Sequence, residues 1–296
     1  MNPRQGTNLD FSKQDWRERN FSLIWTLLLP LRLYLRYFPV QHGKGILLRS
    51  FLIPLLPPTD AEFELQMPVS GKISLKYRET LGLSSLLYGT FELAELEFAA
   101  RYLRLGDQAM DVGANVGIFS VLIGKAVGES GNVLAFEPAP DNISRLKANL
   151  DRNGLGNVQV IACALGDSER QMNLHLATDP AYPSLLDVQS GLSDGTQVSV
   201  RVRRLDHAWE EAGMPQIAFI KMDVEGAEPD VVRGALHLLQ SCHPTLLIEA
   251  NTSEHLSILR QLLLPMGYKM AQPEGFAPHN YLFFHPASVP SDRQID

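Results

Sequence analysis

The chain is poor in cysteine, in long uncharged apolar runs and, beyond residue 58, in positive charge. Cys163 and Cys242 are the two cysteines among 296 residues. That excludes a disulfide framework and a cysteine-rich metal site, and makes a reducing, cytoplasmic compartment the expected setting. The longest uncharged apolar run, Phe21 to Leu31, is interrupted by Pro30 and closed by Arg32, too short for a bilayer span of about 20 residues. A secretory signal is not expected either: the leading region carries Asp10, Asp15 and Glu18, and no small-residue cleavage site follows. Internal repeats and low-complexity tracts are lacking. The first 58 residues hold eight basic and three acidic side chains, so with an overall charge of −7 the rest carries −12. An acidic body of that kind matches a phosphate backbone poorly, and nucleic acid is not an expected partner.

What is present reads as a globular α/β chain, 45% hydrophobic and 20% charged. Residues 1–58 form an apolar and basic, helical extension, with FSLIWTLLLPLRLYLRYFPV and GILLRSFLIPLLPP as its core. Arg32 and Arg36 lie one helical turn apart among leucines, which fits a peripheral membrane-surface element over residues 21–57; packing on the main domain or on a second subunit is the alternative. Pro57-Pro58 marks a boundary. Residues 59–106 lead in with two strands (EFELQM and KISLKY) and an amphipathic helix over 91–104, with Leu93, Leu96, Ala100 and Leu103 on one face. From Asp107 to the end strands and helices alternate. Strands are expected at 108–112, 132–136, 158–163, 217–222, 245–250, 268–271 and 281–285, and helices at 117–127, 140–152, 228–240 and 254–265. The pattern predicts a mostly parallel sheet with helices on both faces and a terminal antiparallel hairpin. Residues 177–204, polar and rich in Ser, Asp and Gly, read as a long loop or lid.

Three strand ends carry the chemistry. The first is Asp111-Val-Gly113-Ala114-Asn115-Val-Gly117, between a strand and a helix. Gly113 permits a turn, Gly117 lets the helix start close to the strand, and the loop backbone and helix N-terminus can approach a ligand. The next strand ends in Glu137, placed for ribose hydroxyls, so an adenosine-containing ligand is expected. The dinucleotide fingerprint is broken by Asn115 and Ile118, and an acid at the loop's head suits an ammonium better than a phosphate. S-adenosylmethionine (SAM) therefore fits better than NAD. The second is Lys221-Met-Asp223-Val-Glu225-Gly226-Ala-Glu228. Ionisable groups so dense belong in a wet cleft or on a ligand, although Glu228 also suits a helix-capping role. The third is Glu249-Ala-Asn251. Asp223, Glu249 and Asn251 together would suit Mg²⁺; without metal, Glu249 would bond backbone amides or a substrate hydroxyl.

The run DVGANVGIFS, then AFEPAPDNISRLKANLDRNGL, ALGD, RLDHAWEEAGMPQIAFIKMDVEGAEPDVVRGA and LLIEAN resembles the FkbM-type SAM-dependent methyltransferases. The lead-in YGTFELAELEFAARYLRLGD matches as well, and the resemblance covers roughly residues 60–285. It implies a class I, Rossmann-like methyltransferase fold with a seven-stranded sheet. It also implies methylation of a hydroxyl on a sugar, glycolipid or polyketide-type acceptor. Carried over by position, Asp111, Gly113, Ala114, Asn115 and Gly117 would cradle the methionine part, Glu137 the ribose and Ala164 the adenine. Glu92 or Glu95 would approach the SAM ammonium, and Asp223 and Glu225 would stand where the acceptor enters.

Methyl transfer from a sulfonium is an in-line displacement, so an alcohol acceptor needs alignment and a base or metal. Asp223, Glu225, Lys221 and Glu249 are the expected catalytic groups, with Asp223 foremost. His255 is a further base candidate with a helix-start role as its alternative. Tyr182 and Ser184 are expected at the acceptor. Two other functions fit less well: an NAD-dependent oxidoreductase, and a non-catalytic membrane-associated protein that keeps the fold. An RNA methyltransferase is opposed by the acidic body.

Overall fold

The computed structural model describes residues 61–88, apart from Pro68, Ser70 and Arg78, residues 91–177 and 193–289, and also Pro30 and Arg293. Apart from Pro30, the stretch 21–57 lies outside these residues, as do Tyr182 and Ser184. The chain divides into two compact units, Met1–Glu62 with Lys76–Gly89, and Phe63–Leu75 with Thr90–Asp296. In the first, helix α1 (Thr80–Tyr88) follows Glu79, whose carboxylate pairs with Lys76 at 3.3 Å; no helix was expected there. Strands β1 (Glu62–Gln66) and β2 (Lys72–Lys76), all but their outer residues in the second unit, form a two-stranded sheet. Among the described residues no helix is long and apolar enough to cross a membrane.

The second unit is built on short apolar strands that bury both faces, as a parallel sheet requires. These are β3 (Gln108–Val112), β4 (Asn132–Phe136), β5 (Val158–Ile161), β9 (Ile217–Met222), β10 (Thr245–Glu249), β11 (Lys269–Ala271) and β12 (Asn280–Phe284). Together they form one sheet in the order β11-β12-β10-β9-β3-β4-β5, parallel except for β12. This is the expected class I methyltransferase architecture with its terminal antiparallel hairpin. The strand order reverses between β3 and β9, which start neighbouring halves of the sheet. A crevice opens at their carboxyl ends, the usual ligand position in such sheets.

Helix α2 (Leu93–Tyr102) differs from its expected orientation. It buries Glu95, Leu96, Phe98, Ala99 and Tyr102, while Leu93 is exposed. The aromatics set the face: Phe98 stacks on Tyr102 with centroids 5.6 Å apart, and Tyr102 meets Phe219 at 6.0 Å. Helices α3 (Ile118–Val127) and α4 (Pro140–Arg152) follow β3 and β4 as expected.

Within the expected loop over 177–204, the described residues 193–203 are strand. β6 (Ala164–Leu165), β7 (Arg170–Ala177) and β8 (Ser193–Arg203) form a small sheet in the order β6-β8-β7. Val200 and Val202 alternate inward against Leu174, with Val198 and Met172 packed beside them. That period-two pattern outweighs the polar composition of the segment. After α5 (Leu205–Glu211), the helix expected over 228–240 is two, α6 (Glu228–Arg233) and α7 (Leu236–Cys242). The break falls at Gly234, where a Cβ would lie 2.1 Å from the Gly166 carbonyl oxygen. Asp206 then caps α7, accepting from Leu238 N at 2.9 Å and His237 N at 3.3 Å. Helix α8 (Ser253–Leu263) starts on Thr252, whose hydroxyl accepts from His255 N.

Candidate active site

The loop leaving β3 is pressed against the loop leaving β9. Asp223 N donates to Val112 O at 2.9 Å. Gly113 has φ +82°, and a Cβ there would stand 1.7 Å from the Asp223 carbonyl oxygen. Only glycine meets both conditions. Gly117, with φ +95°, lets α3 begin against Leu146. Asn115 takes φ +52°, a left-handed conformation Asn tolerates better than most residues, and its N–H donates to Glu137 Oε2 at 2.9 Å. Glu137 Oε1 accepts from Ala139 N at 2.9 Å and Asn142 Nδ2 at 3.4 Å. Burial pushes the Glu137 carboxyl up to about 7, against these donors, which hold it down.

Gly113, Asn115, Glu137, Ala164, Asp223 and Glu225 line one cleft. Its apolar wall is Phe136, Cys163, Leu165 and Leu174. Leu174 was missed because β7 was not foreseen. Asp111, Ala114 and Gly117 shape the loop from behind. Asp111 is fully buried; Oδ2 accepts from Ser120 Oγ at 2.6 Å, and Oδ1 has no hydrogen-bond partner.

Beside the cleft, carboxylates gather round one lysine. Lys221, 7% exposed, donates to Asp223 Oδ2 at 3.0 Å and lies 5.1 Å from the Phe119 ring centroid. Its neighbour across the β3–β9 pair is Asp111. Burial alone would lower the lysine's pKa; Asp223, then Asp111 and Glu92, outweigh it and raise the pKa. Asp223 is likewise pushed up by burial, but Lys221 and a hydrogen bond from Glu249 hold it below the usual carboxylate value. Glu249 is pushed up to about 10, by burial first and Asp223 second, and keeps the proton it shares with Asp223. Glu225 sits at φ +55° and is pushed up to about 8 by burial, Asp223 and Glu228. Glu92 heads α2 and is pushed up to about 7, by burial and by Asp223, with Lys221 opposing.

Glu228 does not face the acceptor side. Its Oε1 accepts from Val224 N and Gly226 N, both at 3.1 Å, so it holds the loop carrying Asp223 and Glu225. His255 stands behind it, Nδ1 to Oε2 at 3.9 Å. The donors expected for Mg²⁺ do not fit a metal. Asn251 is exposed, and Asp223 and Glu249 are engaged with Lys221 and with each other. Among the described residues no group of three His, Cys, Asp or Glu could hold an ion. A cationic organic ligand suits the cluster better: a Cβ-free cradle at Gly113 adjoins a surplus of carboxyl groups, one of them with an unpartnered buried oxygen.

The model of the methyltransferase FkbM domain matches residues 111–270. A hexuronic acid methyltransferase of Haloferax volcanii is 30% identical over 137 residues, covering 46% of this chain and 52% of its own length. The 31-O-demethyl-FK506 methyltransferase of Streptomyces tacrolimicus is 30% identical over 160 residues, covering 45% and 60%. The chain thus spans about half the length of the curated relatives it matches. Among solved structures, a methyltransferase FkbM from Methylobacillus flagellatus aligns with TM-score 0.45 and 20% identity, over 69% of this chain and 52% of that one.

Proposed function

This chain belongs to the FkbM methyltransferase family, and from that premise we propose that it transfers a methyl group from SAM to a hydroxyl of a sugar, glycolipid or polyketide-type small molecule. The observation that carries the reading is the cleft itself. The Gly113–Asn115 turn, Glu137, Asp223 and Glu225 all line it. Relatives named for a hexuronic acid and for a demethylated polyketide support the acceptor class.

SAM, when bound, supplies an electrophilic methyl group next to a positive charge. The backbone of Gly113 to Asn115 would leave room for it, Glu137 would accept from ribose hydroxyls, and Phe136, Ala164 and Leu174 would flank the base. Glu92 would present its carboxylate toward the ammonium, with Asp111 buried behind the loop. Asp223 is the cleft group held ionised at neutral pH, so it accepts the hydrogen of the acceptor hydroxyl and fixes that oxygen for in-line attack. Lys221 keeps Asp223 ionised and in place. The hydroxyl proton would pass to Asp223 and on to solvent; Glu225, pushed up to about 8, mostly holds its own proton at neutral pH. No step in this scheme needs a metal.

Calorimetric titration with SAM, its demethylated product and NAD tests the donor; binding of NAD alone would point to an oxidoreductase. Mass spectra of lipid and glycan extracts from cells with wild-type or Asp223→Ala protein test the transfer, and a missing methyl in the variant is expected. Residues 21–57, basic and apolar, suit a peripheral contact with an anionic membrane; Arg32→Glu with Arg36→Glu should weaken co-sedimentation with anionic vesicles.

A further inference from the structure

We propose that Asn280 is a positioning residue that fixes Glu92 at the methionine end of the donor site, an inference that rests on reading the cleft as a SAM site. Asn280 opens β12 and is 4% exposed. Its amide nitrogen donates to Glu92 Oε1 and to Glu95 Oε1, both at 2.9 Å. Both hydrogens of one amide therefore go to carboxylates of α2. The Cα partner of Asn280 across the β10–β12 pair is Glu249, so the residue stands at the edge of the acid cluster. It lies beyond the residues matched by the family model and outside the strand-end motifs read from the sequence.

The chemistry explains why an amide occupies this position. Glu92 caps α2 at φ +50°, ψ +51°, without a side-chain capping bond. A left-handed conformation at a residue with a Cβ is unfavourable and persists where its surroundings over-determine it. Glu95 has a second donor in Ala277 N, which ties the same helix to the segment before β12. The charged groups facing Glu92 are Lys221, Asp223 and Glu95, one cation against two acids. In that field an aspartate at 280 would add a third carboxylate next to Glu92 and Glu95. A lysine would neutralise the cluster and compete with a ligand's ammonium. Asparagine bonds both glutamates and leaves the negative potential for a cationic ligand. Helix α2 and the last strand, 188 residues apart in chain, thus meet at one buried donor.

The test is a double-mutant cycle on the full-length protein with SAM as the probe. Wild type, Asn280→Ala, Glu92→Gln and the double variant are titrated by calorimetry between about pH 6 and 9, with thermal unfolding to verify folding. Wild-type affinity should fall as pH drops through about 7, where Glu92 takes a proton. Asn280→Ala should weaken SAM about 10- to 100-fold at neutral pH and move that inflection upward, because the amide holds the carboxyl's pKa down. With Glu92→Gln already present, Asn280→Ala should change SAM affinity no further. Asn280→Ser keeps a shorter donor, should fall between, and carries the same readouts if the alanine variant does not fold. Wild type that binds SAM, with unchanged affinity in Asn280→Ala, an unmoved inflection or additive effects in the cycle, would overturn the positioning role alone. Wild type that does not bind SAM would overturn the reading of the cleft.

Discussion

Replacing Lys221 by methionine puts the charge arrangement to a quantitative test. Lys221 is 9% exposed in its side chain and Asp223 21%, and their charged atoms are 3.0 Å apart. Methionine keeps most of the volume and removes the cation. Asp223 is then a buried carboxylate without its counter-charge, and the damage is limited by its ability to take a proton. Holding a carboxyl of unfolded pKa about 3.9 protonated at pH 7 costs about 3 units at about 1.4 kcal/mol each, or roughly 4 kcal/mol. That lies within the 3–5 kcal/mol typical when one member of a buried pair is removed. The sign follows from the protons. In wild type the folded pKa of Asp223 is below its unfolded value, so its contribution is present above about pH 4 and lost as pH falls through the folded pKa. In the variant the folded state holds a proton that the unfolded state lacks between about pH 4 and 7. The deficit should therefore shrink by about 1.4 kcal/mol per pH unit of acidification. Urea unfolding of both proteins at about pH 5, 6 and 7, followed by circular dichroism, measures it. A deficit that does not change with pH would assign the loss to packing, and no deficit at all would show that Asp223 does not depend on Lys221.

Gly113→Ala combines an unfavourable φ with a Cβ 1.7 Å from a backbone oxygen; a loss of at least about 2 kcal/mol with loss of SAM binding is expected, and normal stability and binding would contradict the loop geometry. Glu249→Gln cannot ionise, whereas wild-type Glu249, raised to about 10, costs stability as pH climbs above its unfolded value. The variant should gain at least about 1 kcal/mol on wild type between about pH 5 and 8, read from denaturant midpoints; a parallel pH course would refute the raised pKa. Glu92 and Glu137, both near 7, should ionise when a cationic donor binds. Calorimetry of SAM binding at neutral pH in two buffers of different ionisation enthalpy should report proton release, and proton uptake would argue against the assignment.

The parallel core was legible because β3, β4 and β9 are short apolar runs ending at a glycine or an acid, and their observed bounds coincide with those expected. The loop at Gly113 was legible because two glycines flank a strand-to-helix junction. Other features depend on partners remote in sequence. β8 looked like a loop because the polar, exposed Gln197, Ser199 and Arg201 alternate with Val198, Val200 and Val202. The helix break at Gly234 requires the approach of Gly166, which no local pattern announces. Asn280 shows no motif; its meaning comes from Glu92 and Glu95, on another element. The Mg²⁺ expectation failed for a related reason. Spacing puts Asp223, Glu249 and Asn251 on neighbouring strand ends, but it does not reveal that Lys221 donates to Asp223 Oδ2.

Ionisable clusters also form for purely structural reasons, and the molecule carries one that serves as an internal control. On the small sheet Glu169 meets His207 at 3.0 Å and lies within 3.9 Å of Arg201 and Arg203, while Asp167 pairs with Arg170 at 2.6 Å. There burial opposes ionisation of Glu169, yet the hydrogen bond from His207 and the arginines prevail and its pKa is lowered; Asp167 is lowered by Ser168 and Arg170. Cations are ample, and the folded chain satisfies its own acids. At the ends of β3, β9 and β10 the balance is reversed. Lys221 is the lysine in reach of Asp223, Asp111 and Glu92, and Glu92, Glu225 and Glu249 are all raised, each by burial first. A fold gains nothing from carboxyl groups held in that state, because each lowers stability once the pH exceeds its unfolded value. A cation entering the cleft relieves all of them together. Under the proposed function, the arrangement is costly in the free protein and a cationic donor would offset that cost in the complex.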